Sequence, residues 1–404
     1  LEQDDFTVQT ARFTSPPKWH IGHVSWIYEA ILSKINKKYT FFSKEFSEYL
    51  NSYYQQFGTP NDKGERGITS RPTLEDILEY FDLITRRVKK VINRKNLSKE
   101  ETRLLTMGIH HECQHQELLV YDIQHLLAAE YTPVKHNTRP KQKPAKNKPI
   151  KIDGGLYTMG YNGNDYCYDI ELPEHKVYLN EYSIDSHPVT NAQYMEFIKD
   201  GGYENYTFWL SDGWEKVKEN GWRAPMYWKE TKDGWITNSF SGNVINPNEP
   251  VCHVSYYEAD AYCKWAERRL PTEAEWEKAA CWNEKKQEKT TFPWGNDSPT
   301  EKRCNLLESH IWGCTDISSY PKGASHYGCQ QMIGNVWEWT SSEFTGYPGF
   351  ESGFDEYNDK WFTGQKVLRG GSFGTPMISI RASYRNFFRL DERWMFSGFR
   401  CAGD

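Results

Sequence analysis

No apolar run in this chain approaches the roughly 18 residues that a bilayer-spanning helix needs, so no membrane segment is expected. Nor is there a surplus of positive charge. Lys and Arg number 49 against 55 Asp and Glu, a net charge of −6. That balance removes the electrostatic reason to expect a nucleic-acid partner. Cysteine is modest at nine, an odd count with no C-x-x-C pair, and a reduced, cytoplasmic compartment is the simpler expectation. No signal-peptide pattern stands at residue 1. What the chain has in quantity is aromatic rings: 16 Trp, 26 Tyr and 20 Phe. Such an excess suits a loop-rich fold held by large side chains. It serves a core or a subunit interface equally, so it sets no oligomeric state.

A length of 404 residues implies two or three domains. Residues 1–130 read as helical. Ser15 and Pro16 form an N-cap and N1 pair for a helix carrying Trp19, His23, Trp26 and Ile27. A second helix is expected over 43–57 and a third after Thr73. A fourth follows Ser98, whose S-x-x-E pattern with Glu101 is a capping box. Four amphipathic helices of this length make a four-helix bundle. Residues 131–149 alternate Lys and Arg with Pro and read as an exposed basic linker. From 150 to 404 the composition turns to Gly, Trp, Tyr and short strands. Helices are expected there after Thr190, over 255–268, and after Thr272, which pairs with Glu275 in another capping box. The class is α+β with much irregular structure.

The chemistry concentrates in Ile109–Glu117, where His111 and His115 are four residues apart on a helical stretch. Residues at i and i+4 share a helix face, so both imidazoles can address one ion. Imidazole suits zinc, iron, copper and nickel. His110 and Cys113 lie about 100° and about 200° around the helix from His111 and do not point with the pair. Glu117 reads as an outer carboxylate or packing partner, and Gln114 borders the ligand face. The third ligand is expected from another helix. His23, in Trp19-His20-Ile21-Gly22-His23, is the choice, with His20 the competitor on nearly the same face; spacing alone does not separate them. Gly22 would let a neighbouring helix approach. Zinc would act here as a Lewis acid or hydroxide source. Ferrous iron would offer more open positions, and residue count does not choose between the two.

H-x3-H-x-E on a helical bundle, with W-H-x-G-H upstream, resembles the DinB-like bundle of the sulfoxide synthases of ergothioneine biosynthesis. The second half is similar to the formylglycine-generating-enzyme fold. It carries Arg269-Leu270-Pro271-Thr272-Glu273-Ala274-Glu275-Trp276-Glu277, Gly334-Asn335-Val336-Trp337-Glu338-Trp339-Thr340, Leu368-Arg369-Gly370-Gly371-Ser372-Phe373 and Ser397-Gly398-Phe399-Arg400. The resemblance covers essentially the whole chain, and the fusion of the two halves in this order is what makes it specific. It implies a DinB-like bundle joined to a C-type-lectin-like domain. It also implies nonheme Fe(II) on His23, His111 and His115, and dioxygen-dependent joining of a thiol sulfur to C2 of hercynine (Nα-trimethylhistidine) with oxidation to the sulfoxide. By motif, hercynine contacts fall on Gln114, Tyr357 and Asn386, with Phe387 and Trp361 as further walls for a trimethylammonium cation.

Two positions depart from the branch that uses γ-glutamylcysteine. Its catalytic Tyr falls on Phe354, and an acidic residue falls on Phe388, which removes a contact for a γ-glutamyl tail. Tyr53 and Tyr54, expected in the second helix, resemble the paired tyrosines of the cysteine-using branch and are the candidate proton donors. Arg66 or Arg71, and Arg385, Arg389 or Arg393, are candidates to hold a cysteine carboxylate through a two-pronged contact. The expected substrates are therefore hercynine, cysteine and O2. The alternatives are an ovothiol-type C5 sulfoxide synthase, a selenium-donor version, or a zinc-dependent thiol transferase.

Overall fold

Pro17 opens the first long helix, α1 (Pro17–Ile35), in a computed structural model that describes residues 1–59, 62–128, 138, 146–240, 242–354 and 356–404, the Asn243 side chain excepted. Proline suits a first turn because the N–H it lacks would have no helical partner there. The helix begins one residue later than the sequence suggests, with Pro16 as N-cap. The Ser15 hydroxyl does not cap; it accepts from Arg66 Nη1 at 2.9 Å. Helix α2 (Lys44–Leu50) starts on Ser43, whose Oγ accepts from the Phe46 N–H. Reciprocal capping boxes, Thr73 with Asp76 and Ser98 with Glu101, open α3 (Leu74–Ile92) and α4 (Lys99–Leu127).

The expected second helix over 43–57 is cut short, so the bundle has three long helices and one short one. Asn51 explains the break. Its Oδ1 accepts from the Tyr54 N–H at 2.9 Å and its Nδ2 donates to the Tyr54 carbonyl at 2.8 Å. A side chain that satisfies nearby backbone in this way competes directly with helix continuation. Tyr53 and Tyr54 consequently leave the helix and lie in the following turn.

The chain divides into two compact units. The first is Leu1–Ala129 together with Phe354–Tyr357, and the second is Glu130–Gly353 with Asn358–Asp404. In the first, α1 is central and packs on both α3 and α4. Two glycines permit the approach. A Cβ on Gly22 would lie 2.5 Å from Leu50 Cδ2 and 2.9 Å from Ile77 Cδ1, and one on Gly108 would lie 2.7 Å from the Tyr28 ring. Glu29 is fully buried on α1 and gathers Tyr39 Oη (2.5 Å), Tyr80 Oη (2.7 Å), Arg87 Nη1 (3.2 Å) and the Phe42 N–H (3.1 Å). Most of the basic linker expected over 131–149 lies outside the described residues; Pro149 already belongs to a strand.

The second unit is built from short strands: β1 (Pro149–Ile152), β2 (Gly155–Met159), β3 (His175–Leu179), β4 (Tyr182–Asp185), β5 (Trp228–Thr231), β6 (Gly234–Ser239), β7 (Gly242–Val244), β8 (Trp282–Asn283), β9 (Glu288–Lys289), β10 (Trp337–Glu343), β11 (Lys366–Arg369), β12 (Arg385–Phe388), β13 (Ser397–Gly398) and β14 (Ala402–Gly403). They form sheets ordered β1-β4-β14, β12-β11-β10-β13, β5-β6-β7, β2-β3 and β8-β9. Helices α5 (Asn191–Lys199), α7 (Tyr256–Trp265) and α8 (Glu273–Cys281) begin on Thr190, Ser255 and Thr272, each a capping box. Helix α6 (Ser211–Asn220) is not anticipated, because Leu210 precedes it with no side-chain cap; it ends on Gly221 in the left-handed region, φ +61°. Among the described residues no helix is long and apolar enough to cross a membrane.

The motif residues of this half make a buried ion-pair lattice. Glu338, Arg369 and Arg385 stand in register on β10, β11 and β12. Two arginines directly opposite would repel, but Glu273 from α8 lies between them. Its Oε1 takes Arg369 Nη1 at 2.5 Å and Arg385 Nε at 2.7 Å. Arg369 Nη2 continues to Glu277 at 2.6 Å, while Glu338 holds Arg400 Nε at 2.6 Å and Trp276 Nε1 at 2.7 Å. Breaking a buried pair strands a charge at a cost of about 3–5 kcal/mol. Glu273→Ala takes from Arg385 its carboxylate partner and from Arg369 one of two, Glu277 remaining. Urea unfolding followed through the tryptophans should show a loss of at least about 3 kcal/mol for this variant, against a small change for the exposed Glu351→Ala.

Candidate metal centre

His23 on α1 and His111 and His115 on α4 converge in the first unit. One nitrogen from each lies within 4.8 Å of the other two. Ring centroids are 4.5 Å apart for His23 and His115, 4.6 Å for His111 and His115, and 5.2 Å for His23 and His111. The i, i+4 spacing gives the α4 pair its common face, and the close approach at Gly108, where a Cβ would meet Tyr28 and Ile31 of α1, brings α1 against it.

Two of the rings, His23 and His115, are fixed from behind. His23 Nδ1 donates to the Leu50 carbonyl at 2.6 Å, which leaves Nε2 as its lone pair. Trp19 stacks on His23 at 4.6 Å with an 8° interplanar angle, and Trp26 at 5.7 Å and 24°. The His115 Nδ1 meets His20 Nδ1 at 3.1 Å, and His20 Nε2 meets Asp122 Oδ2 at 2.9 Å. His20, the competitor for third ligand on sequence, therefore has both ring nitrogens engaged, by His115 and Asp122, and stands outside the set of converging nitrogens. Glu117 accepts from Tyr121 Oη at 2.6 Å.

Burial is the first cause of the electrostatics. It holds His23, His111 and His115 well below the usual imidazole range, His111 to about 3. For His23 and His115 the neighbouring imidazoles depress protonation further. Neutral imidazole is the form that ligates a metal. Two ring nitrogens, His23 Nε2 and His111 Nδ1, are buried with no hydrogen-bond partner. Orphaned buried polar atoms are costly, and a cation among the three rings would satisfy them. The residues fit a metal ion, and a three-imidazole donor set suits a first-row transition ion such as Fe(II) or Zn(II).

The other expected residues fall into two groups. Tyr53 and Tyr54 stack at 4.6 Å, with their hydroxyls 3.5 Å apart; Tyr53 Oη donates to the Tyr357 carbonyl at 3.1 Å. Tyr357 lies with its ring 5.8 Å from His111 and donates its hydroxyl to Gln114 Oε1. Tyr54 meets Trp26 at 5.7 Å and the edge of Phe354 at 6.0 Å. Arg66 is buried, lies 3.4 Å from the Trp19 ring centroid, and keeps an unpartnered Nε; burial lowers it to about 9 against the opposing pull of Asp122.

The second group sits in the second unit. Arg385 is committed to Glu273, the Ile170 carbonyl and the Thr345 carbonyl, with its guanidinium 4.1 Å from the Tyr347 centroid. That corrects the expectation of a guanidinium available for a carboxylate. Arg393 is likewise held by Glu258 at 2.6 Å. Phe387 stacks on Phe344 at 3.9 Å, Phe388 meets the edge of Trp394 at 5.3 Å, and Asn386 Oδ1 accepts from the Phe387 N–H at 2.9 Å. Sequence reasoning missed Asp122. The signal for Asp122 is its place two helical turns beyond His115, on the same face of α4.

Residues 134–404 match the family model of the sulfatase-modifying factor enzyme 1-like domain. A hercynine oxygenase of Mycolicibacterium smegmatis is 37% identical over 307 residues, covering 73% of this chain and 70% of that protein. A hercynine oxygenase of Mycobacterium tuberculosis is 40% identical over 240 residues, 58% of this chain and 56% of that one. The formylglycine-generating enzyme of Mus musculus is 30% identical over 301 residues, 64% and 76%. Fold and relatives together make this an enzyme of oxygenase type. The chain belongs to the sulfatase-modifying-factor-enzyme-like family and, within it, groups with the hercynine oxygenases.

Alanine at His23, His111 or His115 should each weaken Fe(II) or Mn(II) binding by more than the ~10–100-fold that loss of an outer hydrogen bond costs. Metal content after anaerobic loading and desalting measures it. Cys113→Ala, on another side of α4, should leave the metal content unchanged.

Proposed function

We propose that this enzyme is a nonheme Fe(II), O2-dependent sulfoxide synthase that joins cysteine to C2 of hercynine. The carrying observation is the buried, neutral three-imidazole cluster beside a pair of stacked phenols, in a chain related to hercynine oxygenases. The reaction balances without a further reductant. The C2–H and S–H bonds break, C–S and S=O bonds form, one oxygen atom enters the sulfoxide and the other leaves as water. Iron bound by His23, His111 and His115 supplies the oxidising chemistry with dioxygen.

The chain's own groups bind and move protons. Gln114 and Tyr357, hydrogen-bonded to each other, hold hercynine. Of the arginines considered for the cysteine carboxylate, Arg385 and Arg393 already have carboxylate partners. Arg66, with its buried unpartnered Nε, takes that role. Tyr54 is the proton donor, with Tyr53 beside it. Burial first, then the neighbouring phenols Tyr53 and Tyr357, raise Tyr54 well above the usual phenol range, so it keeps its proton at any physiological pH. All nine cysteines are free, which suits work in a reducing cytoplasm.

Aerobic incubation with Fe(II), hercynine and cysteine should consume O2 and yield one sulfoxide-linked product by mass spectrometry. No O2 uptake and no product from protein of full Fe(II) content would sink the proposal. Replacing Tyr53 and Tyr54 together by Phe should lower kcat by about 10²–10⁴, the range of a general acid, at unchanged iron content. Arg66→Met should raise KM for cysteine and leave KM for hercynine near its original value.

A further inference from the structure

Two side chains outside the ligand set, Asp122 and His20, form one line into the centre through His115. Asp122 Oδ2 is 2.9 Å from His20 Nε2, and His20 Nδ1 is 3.1 Å from His115 Nδ1. The same Asp122 oxygen accepts from the Ser15 N–H at 2.8 Å. Asp122 and His20 are 5% and 4% exposed, so bulk water does not compete for these contacts.

The direction of the hydrogens follows from the ends. A carboxylate only accepts, so the hydrogen of the first contact sits on His20 Nε2. A neutral His20 then presents a lone pair at Nδ1, and the second contact is a hydrogen bond only if His115 Nδ1 carries the hydrogen. That leaves Nε2 as the sole lone pair of His115, and this ring is a member of the ligating cluster. A His20 protonated at both nitrogens would reverse the second bond. His115 would then carry its hydrogen on Nε2 and offer no lone pair to an ion. The metal-competent state therefore has one tautomer at each ring.

From this geometry we infer that Asp122 and His20 are positioning residues: they select the Nδ1–H tautomer of His115 and aim its Nε2 at the metal. His23 obtains the same setting from a backbone carbonyl, that of Leu50. His115 needs a side-chain acceptor because it lies in the middle of α4, where the helix's own hydrogen bonds occupy the nearby carbonyls. The assignment deepens the metal-centre reading above and rests on it. Outer hydrogen bonds to a ligating imidazole fix its orientation and raise its basicity, and their loss costs about 10–100-fold in metal affinity.

The test is titration of the metal-free full chain with Mn(II), free ion being read by EPR. His20→Leu keeps the bulk and removes the acceptor. His20→Asn places an amide oxygen near the former Nδ1 position and restores an acceptor for the His115 Nδ1–H. The expected result is an affinity about 10–100-fold weaker for His20→Leu and close to wild type for His20→Asn. Wild-type affinity in His20→Leu, or an equal loss in both variants, overturns the assignment. His23→Ala is the control for the underlying reading: if it binds Mn(II) as tightly as wild type, the three-imidazole centre fails and this inference with it. Should His20→Leu not fold, the wild-type protein loaded with Zn(II) and labelled with ¹⁵N-histidine decides the matter. His115 should show a protonated Nδ1 and a metal-bound Nε2, and the opposite pattern overturns the assignment.

Discussion

Three imidazole rings that each bring a nitrogen within 4.8 Å of the other two, largely out of water, constrain everything else in the first unit. Each additional positive charge in that volume would be unsolvated and would repel its neighbours, so burial drives the rings neutral. Neutral rings carry lone pairs, and lone pairs buried without donors are costly. The surroundings answer this unevenly. Leu50 and His20 satisfy the outer nitrogens of His23 and His115, while His23 Nε2 and His111 Nδ1 stay without a protein partner. In a bundle that satisfies a buried polar group such as Glu29 fully, with two phenols, a guanidinium and a backbone N–H, two unpartnered ring nitrogens stand in one cluster. Such concentration is the mark of a ligand site rather than of careless packing.

The second unit solves a different problem with the same economy of water. Its signature motifs look chemical on paper because they are rich in Glu and Arg. In the structure they neutralise one another across β10, β11, β12 and α8. Glu273 separates two cross-strand arginines that could not otherwise face each other, and Glu338 ties Trp276 to Arg400. Buried pairs of this kind seldom add net stability over apolar packing, because desolvation offsets the attraction. They do penalise any other register of the strands, since a slip would leave charges buried and alone. The motifs thus identify the fold, and a fold by itself leaves the chemistry open. Under the proposed function the chemistry is carried instead by a few residues inside α1 and α4 and in the turn after α2.

How much of this was legible in the sequence depended on whether the signal was local. Capping boxes at Ser98, Thr190 and Thr272 mark helix starts because both halves of the box are three residues apart. The His111/His115 pair is legible for the same reason. The end of α2 was not, because Asn51 acts through a side-chain turn onto Tyr54 that looks like any polar helix residue until its partner is seen. Helix α6 escaped because no polar side chain caps it. Arg385 reads as an available guanidinium in the sequence because the carboxylate it meets, Glu273, is 112 positions away. His20 was weighed as a ligand since it shares the α1 face with His23. Only the structure shows both of its ring nitrogens engaged, one of them by Asp122, 102 positions on.

The departure from α2 also bears on how this chain supplies a phenol. On the family pattern, the branch using γ-glutamylcysteine has a tyrosine where Phe354 stands here. Phe354 falls in the short returning segment that belongs with the first unit, carries the Lys34 ammonium 4.1 Å from its ring centroid, and meets the Tyr54 ring in a T-shaped contact. A phenol at 354 beside that ammonium would be pulled toward ionisation. Tyr54, by contrast, is enclosed by Trp26, Phe57 and Tyr53, an apolar setting that keeps the hydroxyl protonated. Under the proposed function, moving the phenol from one wall to the other exchanges an easily ionised donor for one that stays neutral. The break that Asn51 puts into α2 is what makes the exchange sterically available, because a continuous helix through 57 would turn Tyr53 and Tyr54 about 100° apart and prevent their stacking.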